Sequence, residues 1–157
     1  MPHEAPDPTG HPTGHPPRET AVFAADHYGL MQPRRAVTAD VVVAYGLAVA
    51  THPDWRPGFT EVWDLRFAPV VDLGPADAPV LLDLERRTAR ALTGSATVIV
   101  ATRPSVLFSV KFYARLANPL GRTVVAVGTE AGATALLGVA ALPDLRSARR
   151  PAQRAVR

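Results

Sequence analysis

Apolar residues along this chain fall into short β-branched runs that alternate with longer stretches repeating every three to four positions, the rhythm of strands followed by helices. Thr60, Val62, Trp63 and Leu65 begin the run that organises the rest. Bounded by Pro57-Gly58 and Pro69, it suits a buried strand that continues to a turn at Asp72. Gly74-Pro75 then marks a turn and a helix start. From Gly74 to Thr93, Leu81, Leu84, Thr88, Ala91 and Leu92 share one stripe, with Asp83, Arg86, Arg87 and Arg90 opposite. That spacing predicts an amphipathic helix closed by Gly94. Pro75 and Pro79 cannot both occupy ideal first-turn positions, so the helix start is either delayed to about Asp77 or kinked. Strand, turn, helix is the unit from which parallel sheets are built.

Upstream, Thr20 to Ala25 is apolar, Asp26-His27-Tyr28-Gly29 supplies turn residues, and Leu30-Met31-Gln32 resumes the apolar pattern. A hairpin is expected there, its second arm running to about Arg35. Pro33 has no donor, which places that arm at a sheet edge or on a bulge. Thr38 suits an N-cap and Asp40 suits a helix N-terminus. Val41 to Ala50 is therefore read as a helix stopped by Thr51-His52-Pro53, although Val41-Val42-Val43 alone suits a strand. Downstream, Ala96 to Thr102 is the clearest buried strand. Pro104-Ser105 opens a helix to about Ala117, Gly121 ends the connection, Arg122 to Val127 is a further strand, and Glu130 to Val139 is a small-residue helix. The expected fold class is α/β: a mostly parallel four- to five-stranded sheet with an N-terminal hairpin and four helices.

Two of these helices are apolar on both sides. Val41, Tyr45, Ala48 and Val49 face one way, and Val43, Leu47 and Ala50 face the other. In the helix after Pro104, Val106, Val110, Tyr113, Ala114 and Ala117 form the core stripe, while Phe108, Phe112 and Leu116 recur at i, i+4, i+8 on the opposite side. Left bare, the outer stripes make a patch of roughly several hundred Å², the size that marks an interface. Self-association as a homodimer is the expectation, unless the N-terminal hairpin or the C-terminal segment folds over them. A cleft for a small apolar or acyl ligand, lined by the same stripes, is the second expectation. Trp55, in the connection before the central strand, is expected to be a lid over helix and strand ends.

Composition changes this picture only at the ends. Residues 1–18 hold six Pro and three His with almost nothing apolar, too little to offset the entropy of ordering, so this segment is expected to be disordered. An amino-terminal metal site at His3 fails because Pro2 has no amide proton, and His11 and His15 are read as linker residues. Residues 19–141 form the domain, with 11 basic and 11 acidic side chains. Residues 142–157 carry five Arg against Asp144 and are expected to fray beyond Pro143. The excess positive charge therefore belongs to the tail. A neutral domain lacks the basic face of a nucleic-acid-binding protein, which leaves only Arg146 to Arg157 as a salt-sensitive contact for nucleic acid or anionic lipid. No apolar run reaches the ~18 residues of a membrane-spanning helix, and the start lacks the pattern of a signal peptide, so a cytoplasmic location is expected.

Catalytic and cofactor motifs are missing from the sequence. There is no Cys, no Gly-rich dinucleotide or phosphate-binding loop, and no His pair at metal-ligand spacing, so no cofactor or metal is expected. Asp64 and Asp72 lie near the carboxyl end of the central strand, where open α/β sheets place ligands. Neither has a His, Ser or Lys nearby in sequence to complete a catalytic set. A structural role, capping a helix or pairing Arg66, is expected instead, and His27 is read as a solvated loop residue. Ser105 and Ser109 lack a nucleophile-elbow context. The expectation is a non-enzymatic module.

The order hairpin, helix, strand, helix, strand, helix, strand, helix, together with two motifs, carries a family resemblance. Thr38 to Val139 resembles the anti-sigma-factor-antagonist (STAS-type, SpoIIAA-like) domains, and within them a bacterial subgroup of uncharacterised function. In that subgroup an H-P-D-[WF]-R-P-G turn leads into a W-D-L-R strand, as His52 to Gly58 and Trp63 to Arg66 do here. The resemblance implies a role in protein–protein contact rather than chemistry. Antagonists of the family are switched by phosphorylation of a Ser in a D-S-[ST]-G-like turn after the central strand. The matching stretch here is Asp72-Leu73-Gly74-Pro75, which keeps the Asp and has no hydroxyl. Phosphate has nowhere to attach, and a switch of that kind is lost.

Overall fold

The computed structural model describes residues 17–147, so the expectations for residues 1–16, including His3, His11 and His15, and for residues 148–157 lie outside the described part. Five strands, β1 (Thr20–Phe23), β2 (Tyr28–Met31), β3 (Thr60–Asp64), β4 (Ala96–Val100) and β5 (Thr123–Val127), form one sheet in the order β1-β2-β3-β4-β5. β1 is antiparallel to β2 and the remaining neighbours are parallel. Four α-helices, α1 (Ala39–Ala50), α2 (Ala78–Thr88), α3 (Pro104–Ala117) and α4 (Glu130–Leu137), follow β2, β3, β4 and β5. The architecture is the α/β class expected, a mostly parallel sheet with an N-terminal hairpin and four helices.

Strand order explains where the helices go. Parallel crossovers are right-handed, so a sheet that advances one way from β2 to β5 places all three crossover helices on one face. Side chains alternate accordingly. Met31, Trp63 and Ile99 enter the larger core with Val42, Tyr45 and Val49 of α1, Leu81 and Leu84 of α2, and Val106 and Val110 of α3. Leu30, Val62, Val98 and Val100 face the other way, where Ala133 of α4 covers them together with Leu142 and Leu145.

Several boundaries differ from the sequence reading, each for a local reason. β3 ends at Asp64 rather than continuing to Asp72: the Asp64 carboxylate accepts the Arg66 N–H and closes a 3-10 turn over Leu65–Phe67. The chain then extends again, with Asp72 N–H bonded to Val37 O at 2.9 Å, which is why the run looks continuous in sequence. α2 starts after a separate 3-10 turn at Pro75–Asp77, in line with a delayed start. Thr38 occupies the N-cap of α1, but its side chain makes no capping hydrogen bond.

The hairpin turn lies two residues earlier than expected. A 3-10 turn at Ala24–Asp26 ends at His27 in the left-handed region (φ 57), and Tyr28 and Gly29 already belong to β2. β2 is internal, not an edge. It stops at Met31, so Pro33 lies beyond the ladder and removes no donor from it. Gly29 is required by close approach: a Cβ there would lie 2.8 Å from both the Trp55 ring and Val49 Cγ1. Trp55 is buried as the expected lid, its indole N–H donating to Ala91 O at 2.9 Å. Fraying beyond Pro143 does not hold as far as Leu145, which is buried on the back of the sheet.

Candidate functional site

The carboxyl end of the sheet carries a buried polar network. Asp64, the last residue of β3, is fully enclosed and accepts from Arg66 Nε and Nη2 at 2.8 Å each, from Arg66 N–H, and from Gln32 Nε2 at 3.0 Å. Arg66 also bonds Glu130 at the start of α4. Hydrogen bonding to Asp64 holds the guanidinium's pKa above its ordinary value, and hydrogen bonding from Arg66 holds the Glu130 carboxyl below the usual range. Asp64 thus takes the structural role expected of it, both capping a turn and pairing Arg66. Asp72 is exposed on the loop beyond.

That loop is fastened to α3. Arg103, which precedes the helix, donates to Ala68 O and, at 2.7 Å, to Pro69 O; Ser109 Oγ lies 3.4 Å from Val71 O and from Leu73 O. Within Asp72-Leu73-Gly74, Asp72 is exposed, Leu73 is buried and Gly74 donates its N–H to Asp77 Oδ2 at 2.9 Å. Leu73 is thus a core anchor of this loop. It lines an apolar cavity of about 30 Å³ with Val37, Val42, Trp63, Ile99 and Val110.

Exposed apolar side chains gather at the same end. Phe67 (37% exposed), Val70 (49%), Val80 (43%) and Phe108 (71%) are four of the six large exposed hydrophobics among the described residues. They sit on the loop after β3, the first turn of α2 and the second turn of α3. Phe67 lies against Arg34, 4.1 Å from its ring centroid, and Arg66, at 5.2 Å. Arg103 and Ser109 thus tie the loop whose apolar tip is Val70 to the start of α3.

The six residues expected to form an interaction surface separate on inspection. Phe108 is exposed. Phe112 and Leu116 on α3, and Val43, Leu47 and Ala50 on α1, are half-buried and pack against the main core. The two stripes do not merge into one patch, because α2 packs against both helices; Gly46 of α1 lies directly under Leu84 of α2.

Sequence reasoning missed a second buried cluster at the opposite, amino end of the sheet. Arg122, just before β5, bonds Glu61 of β3, donates to Thr97 Oγ1 at 2.6 Å and lies 3.5 Å from Glu85 of α2 through Nε, too far for a good hydrogen bond. Tyr113 donates to Glu85, and Thr97 Oγ1 donates to Glu61 at 3.0 Å. Burial raises the Glu61 pKa against the opposing pull of Arg122, and raises the Tyr113 phenol well above its ordinary value. A cleft of about 330 Å³ runs past Glu85 and Arg122. The signals were present: Glu61 shares the inward face with Trp63, and Glu85 lies one turn from Leu81 on the apolar stripe of α2.

No protein-family model matches the chain, and no curated protein sequence matches it. The α/β architecture, a five-stranded mixed sheet with four helices, accords with a STAS-like fold. Among the described residues no helix is long and apolar enough to cross a membrane, and no group of three or more His, Asp or Glu is placed to hold a metal ion.

Proposed function

We propose that this chain is a non-enzymatic interaction module resembling STAS domains, without their phosphorylatable hydroxyl, that self-associates through the apolar carboxyl-edge surface centred on Phe108. The observation that carries the reading is Phe108 itself, a phenylalanine left 71% exposed on a helix whose neighbouring loop is pinned in place. Large aromatic side chains on a preorganised surface are what interfaces use as anchors. Leu73, buried where the family's modified residue would stand, leaves the surface constitutively formed rather than switched by phosphate.

The half-buried Phe112 and Leu116 extend the surface along α3; Val43, Leu47 and Ala50 belong to α1 and contribute less than their sequence pattern suggests. The apolar-ligand reading receives less support. The cavity beneath Leu73, about 30 Å³, holds a water or a methyl group, against the roughly 300–1,000 Å³ of small-molecule sites.

Light scattering across a micromolar concentration series tests the proposal. Wild type should approach twice the chain mass, and Phe108→Asp, with unchanged circular dichroism, should stay at the chain mass. A wild type that remains monomeric throughout contradicts it.

A further inference from the structure

The face of the sheet opposite α1, α2 and α3 is covered by α4, only 8 residues long, and by the segment Leu142-Pro143-Asp144-Leu145, which enters a turn closed by Ser147 N–H on Asp144 O at 3.1 Å. That segment joins none of the sheet's ladders. Side chains read its backbone instead. Gln32 donates from Nε2 to Pro143 O at 2.9 Å and accepts the Leu145 N–H on Oε1 at 2.9 Å, while Glu130 Oε1 accepts the Leu142 N–H at 3.1 Å. Leu142 and Leu145 sink into a cluster with Tyr28, Leu30 and Val62, and Arg34 meets Asp144 at 2.6 Å.

These are the recognition elements of a short-peptide site, in which backbone hydrogen bonds supply affinity and side-chain pockets supply specificity. Proline fits the second position because it has no N–H to leave unpaired and keeps Leu142 out of the helical region. An acid at the third position meets Arg34. The tether to α4 is held as far as Val139, which packs on the same cluster and donates its N–H to Thr134 O, and only the exposed Ala140 and Ala141 separate it from Leu142.

We propose that this back-face groove is a binding site for a Leu-Pro-acid-Leu segment of a partner protein, which the chain's own residues 142–145 occupy in cis and the partner displaces. The groove is distinct from the Phe108 surface, and neither depends on the other.

A fluorescein-labelled peptide Ala-Leu-Pro-Asp-Leu-Arg-Ser, the sequence of residues 141–147, tests it against the full chain and against the full-chain variant Leu142→Asp/Leu145→Asp. Removing the cis competitor should tighten peptide binding by roughly tenfold or more, since apparent affinity scales with the fraction of open groove. A scrambled peptide should not bind. A folded variant that binds the peptide no better than wild type, or no better than the scramble, overturns the proposal. Should the variant fail to fold, native-state hydrogen exchange of wild type decides: the Leu142 and Leu145 amides should exchange through an opening that leaves the Val62 and Val98 amides protected. Equal protection of all four overturns it.

Discussion

The Gln32 side-chain amide donates to Asp64 Oδ2 at 3.0 Å, joining the exits of β2 and β3 and, through the second bond from the same nitrogen to Pro143 O, the C-terminal segment. One enclosed carboxylate thereby ties two strand ends, the Arg66 guanidinium and the start of α4 into a single end-piece on which the loop after β3 is mounted.

Asp64→Ala removes the acceptor shared by Gln32 and Arg66 and leaves Arg66 paired with Glu130 alone, so it should cost about 1–3 kcal/mol. Asp64→Asn, which keeps the shape and one acceptor, should cost less. Urea denaturation at neutral pH reads both.

The amino-end cluster holds two buried carboxylates against one Arg122. Arg122→Met should therefore cost about 3–5 kcal/mol, the loss expected when one partner of a buried ion pair goes. Glu61, faced by Arg122, Glu85 and Thr97, has its folded pKa raised above the ordinary 4.5. Between those two values the folded protein holds a proton that the unfolded chain releases. Its contribution to stability is present below about pH 4.5 and lost as pH rises through the folded value. The stability of wild type relative to Glu61→Gln should decline over that window; a flat or rising difference contradicts the assignment.

All three tyrosines resist ionisation. Burial is the first cause in each, joined at Tyr45 by its hydrogen bond to Glu19 Oε2 at 2.8 Å, which pushes that phenol up to about 12. Tyrosinate absorbance should stay below half of its full amplitude at pH 10.0, the ordinary midpoint. The stability these phenols contribute is present below that pH and lost as it rises through the folded values.

Gly29→Ala would set a Cβ 2.8 Å from two atoms with little freedom, Val49 Cγ1 and the ring of Trp55, whose N–H is bonded to Ala91 O. Overpacking of this kind costs about 1–3 kcal/mol. Gly46→Ala meets only the end of the Leu84 side chain at 3.2 Å and gains helix propensity worth about 1 kcal/mol, so it should be near neutral or stabilising. Paired denaturation curves of the two variants check the contrast.

Much of the fold was legible because β4 and the stripes of α2 and α3 repeat cleanly, and Pro104 marks its helix start to the residue. What escaped depended on partners distant in sequence. Tyr28 reads as a turn residue until Phe23 is stacked on it at 4.9 Å, and Gly29 until Trp55 is seen above it. The break after Asp64 is made by its own side chain, within a run that stays apolar. Leu142 and Leu145 vanish into an Arg-rich composition, although their spacing of three was a signal. Phe108 points outward as its position predicts, because helical period fixes direction about one axis; it does not say that α2 will pack against Ala50's helix.

The most direct test of the interface uses the chain's lack of cysteine. Lys111, exposed and one turn beyond Phe108, is replaced by a spin-labelled cysteine, and dipolar coupling between copies is measured at micromolar concentration. Coupling between copies that disappears when Phe108→Asp is added is the predicted result. No coupling at all, or coupling that survives Phe108→Asp, contradicts self-association through this surface.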